Sequence, residues 1–180
     1  MYDFIEACIN GDLYKVKCFI KNRVDINAKG DCSWTALMYA SWNNRLEIVK
    51  FLIENGANLN EKDKDGNTAL ILASSNGHLE VVKYLIDNGA DVNIKNNQNE
   101  TALITMLISC IKTFKENKVN EHIVLNRCFK IIKCLIENGA DVNIKNNEGK
   151  TALDLAEENG YEEIAEILKN AGAKHGNEIQ

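Results

Sequence analysis

Apolar residues in this chain gather in short clusters separated by polar breaks, and the clusters recur. The clearest example runs from Asp63 to Lys95. Asp65-Gly66 is a turn signal, and Thr68 follows where its hydroxyl can accept a backbone N–H and start a helix. Leu70, Ala73 and Ser74 then share one face of a short helix, small where a neighbouring helix must come close. Asn76-Gly77 breaks the pattern. Leu79, Val81, Val82, Leu85 and Ile86 form the apolar stripe of a second helix. Gly89 supplies the left-handed residue that ends it, and Asp91-Val92-Asn93 runs out in extended form. The predicted unit is helix, turn, helix and an outward loop or hairpin.

That unit repeats. Thr-Ala-Leu begins at Thr35, Thr68, Thr101 and Thr151, at intervals of 33, 33 and 50 residues. A second marker keeps the same register: Gly56-Ala57-Asn58, Gly89-Ala90-Asp91, Gly139-Ala140-Asp141 and Gly172-Ala173. Helices this short are unstable alone, and one pair cannot enclose its own apolar face. Stacking of successive units must supply the core.

Thr68-Ala69-Leu70-Ile71-Leu72-Ala73, Gly77-His78-Leu79-Glu80-Val81-Val82 and Gly89-Ala90-Asp91-Val92-Asn93 resemble the ankyrin repeat, with its period of about 33 and its T-P-L-H-x-A signature. The resemblance implies an all-α solenoid of helix-turn-helix units with short β-hairpin or loop connections. It extends over a single domain, residues 1–173, with 174–180 as a C-terminal tail. The units are 1–29 (N-terminal cap), 30–62, 63–95, 96–145 and 146–173 (C-terminal cap). Ala36, Ala69, Ala102 and Ala152 replace the family's proline, and Met38, Ile71, Ile104 and Asp154 replace its histidine. The histidine that usually bonds the threonine between repeats is therefore missing from these units.

The first unit carries Lys15 where the third has Val81, as expected of a side facing water, and Arg23 where the third has Gly89. The last unit carries Glu157, Glu158, Glu162, Glu163 and Glu166, a charge run read as the polar face of a cap. The fourth unit holds 17 additional residues, around 110–126. Ile108, Ile111 and Phe114 continue one apolar spacing, and Val124, Cys128, Ile131, Ile132 and Leu135 set up another. Both helices are expected to lengthen by one to two turns and to join near Asn117-Lys118-Val119-Asn120.

Composition narrows the function. The net charge of −5, with lysine and arginine evenly spread over 180 residues, does not suit a nucleic-acid binder. No apolar run approaches a membrane span. The opening residues Met1 to Glu6 lack the features of a signal peptide, so the expected compartment is the cytoplasm, or the outside of the cell for an effector secreted without a recognisable leader. The six cysteines include no C-x-x-C pair and read as reduced, buried thiols, with Cys18 and Cys134 on apolar helix positions. Glu61-x-Asp63-x-Asp65-Gly66 resembles the start of a calcium loop, but Leu72 stands where the bidentate glutamate is required. No catalytic or phosphate-binding motif appears, and neither a cofactor nor a metal is expected.

The reading is a non-catalytic, monomeric module that binds a protein or peptide. An enzyme or metal protein on the same scaffold is the alternative, as is a substrate for asparagine hydroxylation at Asn93 and Asn143, positions that the resemblance suggests. The family's use of loop tips and the exposed inner-helix face puts the expected contact on Trp34, Trp42, Asn43, Lys64, Asp65, Asn67, Asn76, Gln98, Glu100 and Lys150. Both tryptophans of the chain fall on that surface, and tryptophan is a preferred hot-spot residue.

Overall fold

A computed structural model describes residues 2–116 and 121–179. Ten α-helices follow one another in pairs among them. The inner helices are α1 (Tyr2–Asn10), α3 (Ala36–Trp42), α5 (Ala69–Ser75), α7 (Ala102–Glu116) and α9 (Ala152–Glu158). The outer helices are α2 (Leu13–Lys21), α4 (Leu46–Glu54), α6 (Leu79–Asp87), α8 (Glu121–Glu137) and α10 (Glu162–Asn170). Inner helices pack in chain order from α1 to α9, and outer helices pack in order from α2 to α8. The seam between α8 and α10 is the loosest of the outer row.

The core is one continuous strip through the stack. Leu37, Leu70, Leu103 and Leu153 enter it from successive inner helices, and Leu52, Leu85, Leu135 and Leu168 from successive outer ones. The small residues Ala40, Ala73 and Ala156 let the inner helices approach, while Met106 takes the corresponding place in α7. The hydroxyls of Thr35, Thr68 and Thr151 accept the N–H groups of Met38, Ile71 and Asp154, capping α3, α5 and α9. Thr101 Oγ1 is buried with no hydrogen-bond partner among the described residues.

The connections take the loop form, and no strand occurs among the described residues. Backbone bonds close each tip, such as Asp63 N to Asn67 O at 3.0 Å with Gly66 N to Asp63 O at 3.1 Å, and Asn96 N to Glu100 O at 2.9 Å with Asn99 N to Asn96 O at 3.0 Å. Side chains do the remaining work. Asp63 Oδ1 accepts from the amides of Asp65 and Asn67, and Asn96 and Asn146 repeat the arrangement one and two units on. Gly30 has no side chain to offer there. That tip adopts instead a single 3-10 turn, Asp31–Ser33, with Cys32 and Ser33 at positive φ.

Two sets of bonds tie unit to unit. Asn27, Asn60 and Asn93 each accept an amide from the following unit, those of Asn58, Asp91 and Asp141, and Asn143 accepts that of Lys174. The second set covers the carbonyls left open at the ends of inner helices. Arg45 Nε donates to Ile9 O, His78 Nε2 to Trp42 O, and Ser109 Oγ to Ser75 O. These three carbonyls occupy equivalent positions in consecutive units.

The fourth pair departs from the others. α7 has 15 residues where α5 has 7, and α8 has 17 where α6 has 9. Each helix thus gains a little over two turns, slightly more than the expected one to two. The expected junction at Asn117-Lys118-Val119-Asn120 lies outside the described residues. Phe114, on the added part of α7, packs against Tyr161 with ring centroids 5.6 Å apart.

Two expectations change at the surface. Cys18 is exposed and Cys134 only half-buried, because their position on the outer helices lies at the rim of the stripe; the buried thiols are Cys8, Cys110 and Cys128. The expected tail is bonded to the last unit. Its 3-10 turn, Gly176–Glu178, sits beside Asp154, which accepts the Gly176 amide at 2.8 Å and contacts His175 Nδ1 at 2.7 Å. Lys145 Nζ reaches Ile179 O at 2.8 Å. Asp154 thus joins the threonine to the segment that follows, the part that the resemblance gives to the missing histidine.

Partial burial alone would raise the Asp154 pKa. The amides of Thr151 and Gly176, together with the His175 ring, outweigh that and hold it at about 2. His175 is raised, chiefly by its bond to Asp154. A carboxyl lowered on folding stabilises above its ordinary pKa of about 4, and that share is lost as pH falls towards 2. A histidine raised on folding stabilises fully below about pH 6.5, and its share is lost as pH rises through the raised value. His175→Gln is therefore expected to lower the urea midpoint near pH 5.5 and to have much less effect near pH 9. Equal losses at both would count against this linkage.

Arg23 stands at the helix-ending position with φ 58°, where Gly89 has φ 93°. The left-handed turn is kept despite the Cβ, at a cost of about 1 kcal/mol. Arg23→Gly should accordingly raise the unfolding midpoint, as measured by circular dichroism during urea titration.

Candidate interaction surface

Successive units bring the loop tips and the inner helices together on one side of the stack, with grooves between them. The tips form a strip in which Lys64 N donates to Cys32 O, Asn97 N to Asp65 O, and Asn147 N to Gln98 O. Gly66 belongs to this strip by necessity: its φ is 82°, and a Cβ there would lie 2.7 Å from Asn97 Oδ1. Lys64 and Asp65 are exposed on the strip.

Behind the tips, Trp42, Ser75, Asn76, Gln98, Glu100 and Lys112 border a groove of about 390 Å³. A second groove of about 560 Å³ continues past Glu100 and Lys112 to Lys115, Lys150 and Glu158. Four of the expected residues, Trp42, Asn76, Gln98 and Glu100, meet in the first groove, and Lys150 lines the second. Trp42 is 42% exposed.

Trp34 plays a different part. It is half-buried, its Nε1 donates to Asp63 Oδ2 at 3.0 Å, and its ring meets Tyr39 at 5.0 Å and Trp42 at 5.6 Å. It anchors the irregular tip to the next unit and supports Trp42 from behind, since its donor is already used. Asn67 is likewise engaged, with Asp63 and Asn96. Asn43 and Asn76 donate their carboxamides back to Tyr39 O and Leu72 O, closing α3 and α5. Lys150 pairs with Glu158 across the fifth unit.

The sequence did not point to Lys112 and Lys115. Both lie on the added turns of α7, and the only signal for them is the interval of 50 residues between Thr101 and Thr151. Asn93 and Asn143, the positions suggested for hydroxylation, hold their carboxamides in the ladder between units, donating to Gly139 O and Gly172 O. Among the described residues no group of three His, Cys, Asp or Glu could hold a metal ion, and no helix is long and apolar enough to cross a membrane.

Paired helices stacked around a shared core, with a groove under a row of loop tips, define a repeat solenoid. The profile of the family described as ankyrin repeats (three copies) matches residues 4–96 and again 96–178, and the chain belongs to that family. Such repeats are generally protein–protein interaction modules, and the family is typically non-catalytic. No curated protein matches the chain.

The two tryptophans are expected to separate on mutation. Trp34→Phe removes the donor to Asp63 and should cost about 1–3 kcal/mol. Trp42→Ala removes a partly exposed ring and should cost under about 1 kcal/mol. Urea unfolding of the two variants beside the wild type checks the order, and a larger loss for Trp42 would reverse these assignments.

Proposed function

We propose that the chain acts as a monomer that holds a segment of a protein partner in the concave groove between the loop tips and α7. Trp42 carries this reading: a large apolar ring, 42% exposed, borders a groove whose other lining residues, Ile108 apart, carry amide, hydroxyl and charged groups. Such a ring offers a wide rigid contact at little entropic cost, and the polar groups around it supply adaptable hydrogen bonds. Trp34 supports it from behind through a bond that leaves the groove unoccupied.

Charge along the groove is mixed. Lys112, Lys115 and Lys150 line it together with Glu100, Glu148 and Glu158. A polyanion would meet carboxylates at every step, which together with the net charge of −5 disfavours nucleic acid. A peptide carrying an apolar anchor and side chains of both signs fits better. The elongated α7 adds to the groove a wall that units of ordinary length do not have.

Proteins captured from the source organism by the wild type should be lost with Trp42→Ala and with Lys112→Glu, while Tyr14→Ala, on exposed α2, leaves capture unchanged. Both effective variants should retain the wild-type circular dichroism spectrum. Capture that survives both substitutions would refute the groove as the binding site.

A further inference from the structure

Matched residue by residue to the third unit, Thr101 to Cys110 run with Thr68 to Gly77, and Cys128 onward runs with His78 onward. The 17 additional residues are then 111–127, and a cysteine stands on each side of them. Gly77 and His78 are consecutive residues at the turn between α5 and α6. Their counterparts Cys110 and Cys128 are parted by the whole insertion, yet the fold brings them back together.

α7 and α8 pack against each other, and both thiols are buried between them. Cys128 donates its thiol hydrogen to the sulfur of Cys110. A change of partners accompanies this contact. Arg45 and His78 hold the position of Cys128 in the second and third units, and both reach across to the preceding inner helix. Cys128 meets Cys110 instead, and Ser109 takes over the open carbonyl. Arg127 lies beside the pair in sequence and covers the turn at Gly77, where a Cβ would be 2.6 Å from its Nε. The bond from Cys128 holds the Cys110 thiol below its ordinary pKa, against the effect of burial, and Arg127 adds to the lowering. The same bond and burial push Cys128 up. Cys8 is equally buried, but burial alone raises its thiol to about 12.

We propose that Cys110 and Cys128 form a reversible disulfide when the protein meets a hydroperoxide, stapling the added turns at their root. A bridge needs sulfurs that face each other at close range, and the bond between the two buried thiols supplies that approach. Cys110 is the attacking member, because its hydrogen-bonded sulfur is the one favoured as thiolate. It takes one peroxide oxygen; the O–O bond breaks, hydroxide leaves, and Cys110 becomes a sulfenic acid. The Cys128 sulfur then attacks the Cys110 sulfur. The S–O bond breaks, and its hydroxyl departs as water with the Cys128 proton. The proton first released by Cys110 turns the hydroxide into a second water. Two electrons have passed from the thiols to the peroxide. The proposal does not rest on the groove.

The test treats the folded full chain with hydrogen peroxide, alkylates the remaining thiols in urea, and maps the tryptic peptides. The expected product joins peptide 96–112 to peptide 128–130, lighter by the two hydrogen atoms lost. Cys8 should be recovered alkylated, and dithiothreitol should restore both thiols of the pair. Closing a loop through the insertion should raise the urea midpoint by roughly 1 M. In Cys128→Ser the sulfenic acid has no resolving thiol, so dimedone should label Cys110. In Cys110→Ser, Cys128 should stay reduced at the same peroxide dose. Circular dichroism melts check that both variants fold, and the wild-type map decides the question if either does not. Full alkylation of Cys110 and Cys128 after peroxide would overturn the proposal. So would bridges running to Cys18 or Cys32, a lowered midpoint in the bridged protein, or dimedone labelling at Cys128 instead of Cys110.

Discussion

The structure depends on one constraint: a pair of helices seven and nine residues long has more apolar surface than it can cover by itself. Each unit therefore completes its neighbour's interior, and the apolar side chains of ten helices merge into one strip. Burial is non-directional, however, and does not define how far one unit slides on the next. That is set by the bonds crossing the seams. Arg45, His78 and Ser109 close the carbonyls at the ends of the preceding inner helices, and Asn27, Asn60, Asn93 and Asn143 bind the following loops. Three different side chains serve the first purpose, so the geometry of the open carbonyl matters more than the identity of its partner.

Much of this was legible in the residues. The recurring Thr-Ala-Leu and Gly-Ala markers give the period, the threonine caps and the apolar stripes, because these rest on local chemistry repeated at fixed spacing. What escaped depends on contacts between units. Trp34 and Trp42 look alike as exposed aromatic candidates, and only the position of Asp63 one unit later distinguishes a bonded anchor from a free ring. Cys18 occupies an apolar pattern position yet lies exposed, since the pattern cannot tell the middle of a stripe from its edge. The segment after Gly172 carries no repeat marker beyond Ala173, yet Asp154 holds it in place. The contribution of Lys112 to the groove follows from where added turns point, which composition does not reveal.

The groove owes its shape to the scaffold rather than to its own residues. Tip loops locked by Asp63, Asn96 and Asn146 leave little backbone freedom. A partner would meet a surface already ordered, so less of the contact energy is spent on fixing it. Specificity then rests on a few side chains projecting from a stiff frame. Under the proposed binding mode, replacing them would change recognition with little effect on the frame.

The unequal length of the fourth pair has a consequence for assembly. Arrays of near-identical modules are exposed to mispairing, in which a unit docks one place out of order. A pair two turns longer than the others breaks that degeneracy. Displaced by one place, α7 would lose Tyr161 as the partner of Phe114, and α8 would lose the glycine turn beneath Arg127. The odd pair thus works as an index mark along an otherwise monotonous ruler, telling the folding chain which module is which.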